Sequence, residues 1–226
     1  MNKTKIEWCD YTWNPVTGCL NTCEYCYARK IAKRFGHTPE EIAFKPIIRK
    51  YKLSEPQFIS KPQNIFVCSM ADLFGDWIQD EWIQRVFDAC EQAPQHRYFF
   101  LTKNPKRYEK IIPDKYRVIK GDKNCNMWFG NTLTKPHKDP IIMFNPPVKK
   151  FVSVEPLQEN FNFYPDKMNW VIIGAETGNR KGKVIPKKKW IESIVNQVKR
   201  NGIPLFMKNN LKEIWGDELI QEYPFK

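Results

Sequence analysis

The chain has 226 residues, of which 42% are hydrophobic, and a formal charge of +12; it is long enough to bury a core without disulfide or metal staples. No run of about eighteen uncharged apolar residues occurs, and the N-terminal MNKTKIEWCD lacks the apolar core of an export signal, so a helical membrane span is excluded and a soluble, cytoplasmic protein is expected. Seven cysteines without such a signal argue against a disulfide framework and for reduced thiols or metal-bound thiolates, while the basic charge favours an anionic partner, nucleic acid or a phosphorylated molecule.

In chain order, a short strand from Thr12 to Thr17 leads into the cysteine-rich GCLNTCEYCYAR, Gly18 to Arg29. Residues 35–61 carry prolines and charges with few periodic apolar positions, and read as an inserted lid or loop. The apolar runs NIFVCSM (64–70), YFFLT (98–102), MWFGN (127–131), FVSVE (151–155), WVIIG (170–174) and LFMK (205–208) predict strands buried on both faces.

Two helical patterns fall between them. In DEWIQRVFDACEQAP, Ile83, Val86, Phe87 and Cys90 share one face. In PKKKWIESIVNQVKRNG, Pro186 opens the helix, Ile191, Ile194, Val195 and Val198 form its stripe, and Gly202 stops it. The proline-rich DPIIMFNPPVKK is a rigid connector. Strands alternating with helices predict an α/β fold, a partial (open) parallel β/α barrel of six or seven strands forming a single domain over 1–226. Ligands of such folds bind at the C-terminal ends of the strands.

Cys19, Cys23 and Cys26 are spaced x3 and x2, so three thiolates reach one metal centre from a wrapped loop. Iron–sulfur clusters and zinc both select thiolates. No fourth Cys or His follows closely; His37 is the nearest candidate. Three thiolates on a cluster leave one iron open for chemistry. A structural zinc completed by Cys9, Cys68 or a histidine, or three metal-free thiols, are the alternatives.

CxxxCxxC with an aromatic residue, Tyr25, before the last cysteine resembles the cluster loop of radical-SAM enzymes. More specifically, KIEWCDYTWNPVTGC, FVCSMADLF, YFFLTKNPKR, FVSVEPL, WVIIGAETG and GIPLFMK resemble the three-cysteine-motif family of phages and bacteria. The resemblance implies a 4Fe–4S cluster on Cys19, Cys23 and Cys26 whose open iron chelates S-adenosylmethionine. Electron transfer then yields a 5′-deoxyadenosyl radical that abstracts hydrogen from substrate. An external donor of the flavodoxin or ferredoxin type is implied as well.

The same resemblance places Tyr25 near the adenine. It sets Ser69, Met70 and Asp72 where the superfamily binds the methionine amino group, Asp72 standing in for a glutamate; the same aspartate is equally a helix N-cap. Asn131, Thr132 and Ser153 fall at strand ends that hold ribose hydroxyls, and Glu155 at such an end needs a partner. WVIIGAET departs from the superfamily's GxIxGxxE: Trp170 replaces the first glycine and Glu176 arrives one residue early, which puts adenine contacts there in question.

Lys103, Lys208 and Arg180, with Lys181 and Lys183, follow strand ends and together suggest an anionic substrate. Lys187 to Lys189 open a helix where cations oppose the dipole, which suits an external anion. Cys9 is a candidate to return a hydrogen atom to a product radical. Cys68 and Cys90 read as core residues, and Cys125 carries no signal. The leading expectation is a radical-SAM enzyme acting on a nucleotide or nucleic acid. The alternatives are modification of a peptide or protein, delivered by a protein partner, and a zinc-stabilised nucleic-acid-binding module without catalysis.

Overall fold

A strand that is apolar on both faces needs a layer on each side. A computed structural model of the chain describes residues 1–116, 126–136, 147–162, 165 and 167–225. Its first half holds β1 (Asn2–Lys3), β2 (Tyr11–Trp13), β3 (Val16–Thr17), α1 (Tyr27–Phe35), α2 (Pro39–Ile42), β4 (Ile47–Ile48), β5 (Asn64–Val67), α3 (Asp80–Glu91) and β6 (Arg97–Thr102). There follow α4 (Tyr108–Ile111), β7 (Met127–Thr132), β8 (Lys149–Val154), β9 (Trp170–Ile173), α5 (Lys188–Arg200), β10 (Leu205–Met207) and α6 (Lys212–Trp215). Cys125 and residues 139–146 of the proline-rich connector lie outside the described residues. Among the described residues no helix is long and apolar enough to cross a membrane.

Eight strands form one sheet in the order β1-β2-β5-β6-β7-β8-β9-β10. From β2 to β10 every neighbour is parallel, and only β1 runs antiparallel, against β2. The fold is thus the expected α/β partial barrel, with an extra antiparallel edge of two residues, too short to leave a sequence pattern. The expected strand from Thr12 to Thr17 is split into β2 and β3 at Asn14-Pro15, where proline has no N–H to give a ladder. The run from Asn64 to Met70 ends as a strand at Val67, because Cys68 turns at φ +57°.

Alternate residues of each strand face opposite layers. Ile65, Val67, Tyr98, Phe100, Met127 and Phe129 pack outward with Ile83, Val86, Phe87 and Cys90 of α3. Val152, Val154, Val171, Ile173, Leu205 and Met207 pack with Ile191, Ile194, Val195 and Val198 of α5. The other parity points into the barrel, where Phe66, Phe99, Trp128, Phe151, Trp170 and Phe206 close around Trp8. Trp170 is fully buried, with ring centroids 5.8 Å from Phe99 and 6.1 Å from Trp8, Phe151 and Phe206. This plug fills the barrel interior beneath the C-terminal ends of the strands.

Residues 35–61 break the alternation, as the sequence suggests, but they are tied to the barrel. β4 pairs with β3, and the Trp13 indole N–H donates to the Lys52 carbonyl at 2.7 Å. The segment forms a clasp behind the cysteine loop.

Candidate metal centre at the barrel mouth

Gly18 sets the path of the cysteine loop. Its φ is +93°, and a Cβ there would lie 2.0 Å from the Lys45 carbonyl oxygen, so only glycine lets the chain pass. The Gly18 N–H donates to the Met70 carbonyl and the Cys19 N–H to the Phe44 carbonyl, each at 2.9 Å. The loop is held between the turn after β5 and the clasp.

Cys19 is buried beside Ala28 and Phe44, Cys23 and Cys26 are half-buried, and all three line one cleft of about 920 Å³. The Cys19 sulfur accepts the Asn21 N–H at 3.4 Å. The Cys26 sulfur caps α1, accepting the Arg29 N–H at 3.3 Å, where the helix dipole favours a thiolate. The Arg29 guanidinium donates to the carbonyls of Cys19 and Asn21, both at 2.8 Å, and lies 5.1 Å from the Phe44 ring. Burial first, then Asp72, Cys23 and Cys26, raise the Cys19 thiol above its ordinary pKa against the Asn21 bond that lowers it. Neighbouring thiols form thiolates together when a metal supplies the compensating charge.

Three thiols with backbone donors on two of them fit an iron–sulfur cluster, whose sulfur ligands are tuned by such bonds. Each ligand of a cluster binds a different iron, so the sulfurs stand further apart than ligands of one ion. Among the described residues no three Cys, His, Asp or Glu converge as on a single ion. His37 lines the same cleft, with its backbone N–H on the Glu41 carboxylate at 2.7 Å.

The structure gathers most of the residues singled out from sequence into this cleft: Tyr25, Ser69, Met70, Asp72, Thr132, Ser153, Glu155, Glu176, Lys103 and Lys208 all line it. Burial and then the Cys23 thiol beside it push the Tyr25 phenol up, so it is a neutral hydroxyl, and the Lys103 ammonium lies 5.8 Å from its ring. Burial would lower the Lys208 pKa, but the charge and hydrogen bond of Glu155 raise it above the ordinary value. Lys208 Nζ donates to Glu155 Oε1 at 2.5 Å. The partner that Glu155 requires is therefore Lys208, which makes this lysine an internal counter-ion as well as a rim residue.

Asp72 has a different place from the one its sequence position suggests. Its carboxylate accepts from the Thr102 hydroxyl at 2.5 Å, the Lys103 N–H at 3.0 Å and the Asn21 amide at 3.0 Å. Those bonds tie the cysteine loop to the end of β6. Glu176 and Arg180 likewise pair with each other, through Nε at 2.7 Å and Nη2 at 2.9 Å, and Arg180 reaches Glu24 of the cysteine loop at 3.2 Å. Arg180 does not line the cleft.

Asn131 faces away from it as well, because strand parity puts it with Met127 and Phe129 on the helical side, buried to 1%. Cys9 lies in the aromatic plug beside Trp8, outside the cleft, and burial followed by Asp10 pushes its thiol up to about 12. Lys187 and Lys188 lie over the rings of Trp190 and Trp215, not at the mouth. Sequence reasoning missed Asn14, whose side-chain oxygen accepts from the Met70 N–H at 2.9 Å and the Ser69 hydroxyl at 3.2 Å. It missed Arg29 too, although a cation in the first turn of a helix opposes the dipole and so asks for another role.

The Arg180 pair has a pH signature. Hydrogen bonding to Arg180 holds the Glu176 carboxyl below its ordinary value of 4.5, so its contribution to stability is complete above that value and lost as pH falls through the depressed one. Acidification below about 4.5 is expected to lower the thermal midpoint less in Arg180→Ala than in the parent. Identical acid limbs would count against the pairing.

Comparison with known proteins places the fold and the family. The chain is similar to a cysteine-to-serine mutant of spore photoproduct lyase, at 11% identity and a TM-score of 0.58 over 91% of this chain and 78% of that one. It is similar to spore photoproduct lyase complexed with dinucleoside spore photoproduct, with the same identity and coverage and a TM-score of 0.55. At these identities the likeness is one of fold, the partial parallel barrel. No curated protein matches the sequence. The model of the family described as protein of unknown function (DUF5131) matches residues 3–219, and the chain belongs to that family.

Proposed function

We propose that the protein is a radical-SAM enzyme in which Cys19, Cys23 and Cys26 hold a 4Fe–4S cluster and the cleft takes S-adenosylmethionine and a nucleotide or nucleic-acid substrate. One observation carries this reading: three sulfurs on one loop open onto a single cleft at the C-terminal ends of parallel strands, where such folds bind ligands. Spore photoproduct lyase shares the fold, and one of its structures is a complex with dinucleoside spore photoproduct.

When bound and reduced by an external donor of the flavodoxin or ferredoxin type, the cluster supplies reductive cleavage of S-adenosylmethionine to a 5′-deoxyadenosyl radical. The chain's own residues position and shield. Asp72 and the Arg180–Glu24 contact fix the cysteine loop against the end of β6 and the loop after β9, and Arg29 ties the loop's carbonyls to α1. Tyr25 presents a neutral ring and hydroxyl beside the cysteines. Glu155 spends Oε1 on Lys208 and leaves Oε2 to accept from a hydroxyl, with Ser153 and Thr132 on neighbouring strands. The aromatic plug under the cleft excludes water from below, which protects a reactive radical.

The test is an anaerobic assay of reconstituted protein with dithionite and S-adenosylmethionine, read by chromatography for 5′-deoxyadenosine. The product is expected; its absence from protein that retains its iron would refute the proposal.

A further inference from the structure

Helix α1 is amphipathic, yet its apolar side faces open space. Ala28 is its only buried residue. Tyr27, Ile31 and Phe35, at i, i+4 and i+8, form one stripe that is 44%, 43% and 61% exposed and lines the cleft. Eight residues at the helical rise extend this wall over roughly 12 Å.

Charge in the same cleft is slightly positive, with six Lys or Arg side chains against five Asp or Glu along its lining. Its cations Arg49 and Lys208 are neutralised by Glu41 and Glu155 and Glu176 pairs with Arg180, while Glu7 and Asp72, which line it too, accept from the neutral donors Asn209 N–H, Asn21, Thr102 and the Lys103 N–H. Lys5, Lys45, Lys52 and Lys103 also line it and, among the described residues, pair with no carboxylate. An aromatic wall flanked by lysines free of ion pairs is how single-stranded nucleic acid is held, with bases on the rings and phosphates on the lysines. A flat membrane surface cannot enter a concave cleft, and a base within a duplex cannot reach its interior, so the occupant is an unpaired or extruded nucleotide.

We propose that Tyr27, Ile31 and Phe35 form the stacking wall of a single-strand nucleic-acid groove whose phosphates contact Lys5, Lys45, Lys52 and Lys103. This inference rests on the radical-SAM reading only for what happens to the bound nucleotide. Binding itself is independent of catalysis.

The test is fluorescence anisotropy of a labelled single-stranded oligonucleotide of about ten nucleotides with anaerobically reconstituted protein, in parallel with the same strand annealed and with a labelled acidic peptide. The single strand is expected to bind best. Phe35→Ala should weaken it about tenfold, and Lys5→Gln with Lys45→Gln should flatten the salt dependence by roughly 1.4 in log–log slope. Salt-independent binding, unchanged affinity in Phe35→Ala, or preference for the peptide each overturns the proposal. 5′-Deoxyadenosine formed by protein that binds no oligonucleotide sinks this inference alone; oligonucleotide binding without 5′-deoxyadenosine supports the groove and sinks the catalytic reading.

Discussion

Replacing Cys23 by alanine is expected to abolish iron retention and the brown absorption of the reconstituted protein while leaving the fold intact. Cys19 is buried against Ala28 and Phe44, and Cys26 caps α1, so removing either would disturb structure as well as ligation. Cys23 is half-buried and belongs to no core cluster, which makes it the clean probe. Two remaining thiolates cannot hold a cluster that draws three of its ligands from the protein. Absorption spectrum and iron content measure the loss, and circular dichroism checks the fold. An unaltered visible spectrum in the variant would remove Cys23 from the site.

The second large effect concerns the plug. Trp170→Ala should destabilise the protein by about 3–5 kcal/mol, because the ring is fully buried and packs on Trp8, Phe99, Phe151 and Phe206. Its indole N–H also donates to the Glu222 carbonyl at 2.9 Å. A loss of that size is a large part of the stability of a typical domain, roughly 5–15 kcal/mol. Chemical denaturation measures it, with Phe35→Ala on the exposed stripe as a control expected to change the midpoint little. Trp170→Phe should recover much of the loss. A shift in Trp170→Ala no larger than that of the surface control would contradict the packing described.

The barrel was legible because parallel strands buried on both faces leave continuous apolar runs, and all six long runs became strands of the sheet. The stripes of α3 and α5 were legible for the complementary reason, a helix buried on one face. Short elements left no pattern: β1 spans two residues, and the break between β2 and β3 depends on Pro15 in a context that only the assembled turn reveals. Within the site, spacing alone marked Cys19, Cys23 and Cys26. Internal pairing was invisible, since Asp72 looks like a ligand-binding group until Asn21 and Thr102 arrive from distant positions, and the loop that brings Glu176 and Arg180 together, four residues apart, has no helical pattern to announce the pair. Asn131 and Thr132 are adjacent in sequence but point to opposite layers, so proximity to a strand end could not tell which one faces the cleft. The basic rim also moved in part: Arg180 and Lys208 serve internal ion pairs, and the cleft cations that pair with no carboxylate among the described residues are Lys5, Lys45, Lys52 and Lys103, of which sequence marked only Lys103.

In the proposed site three sulfurs hold the cluster and one iron is left for a small-molecule ligand. The most direct test is iron and sulfide analysis of anaerobically reconstituted protein, combined with electron paramagnetic resonance of the reduced sample before and after S-adenosylmethionine. About four iron and four sulfide per chain, with a spectrum that changes on adding S-adenosylmethionine and survives His37→Ala, is the predicted result. One zinc without sulfide, or a cluster spectrum indifferent to S-adenosylmethionine and lost in His37→Ala, would show a fourth protein ligand and contradict the account.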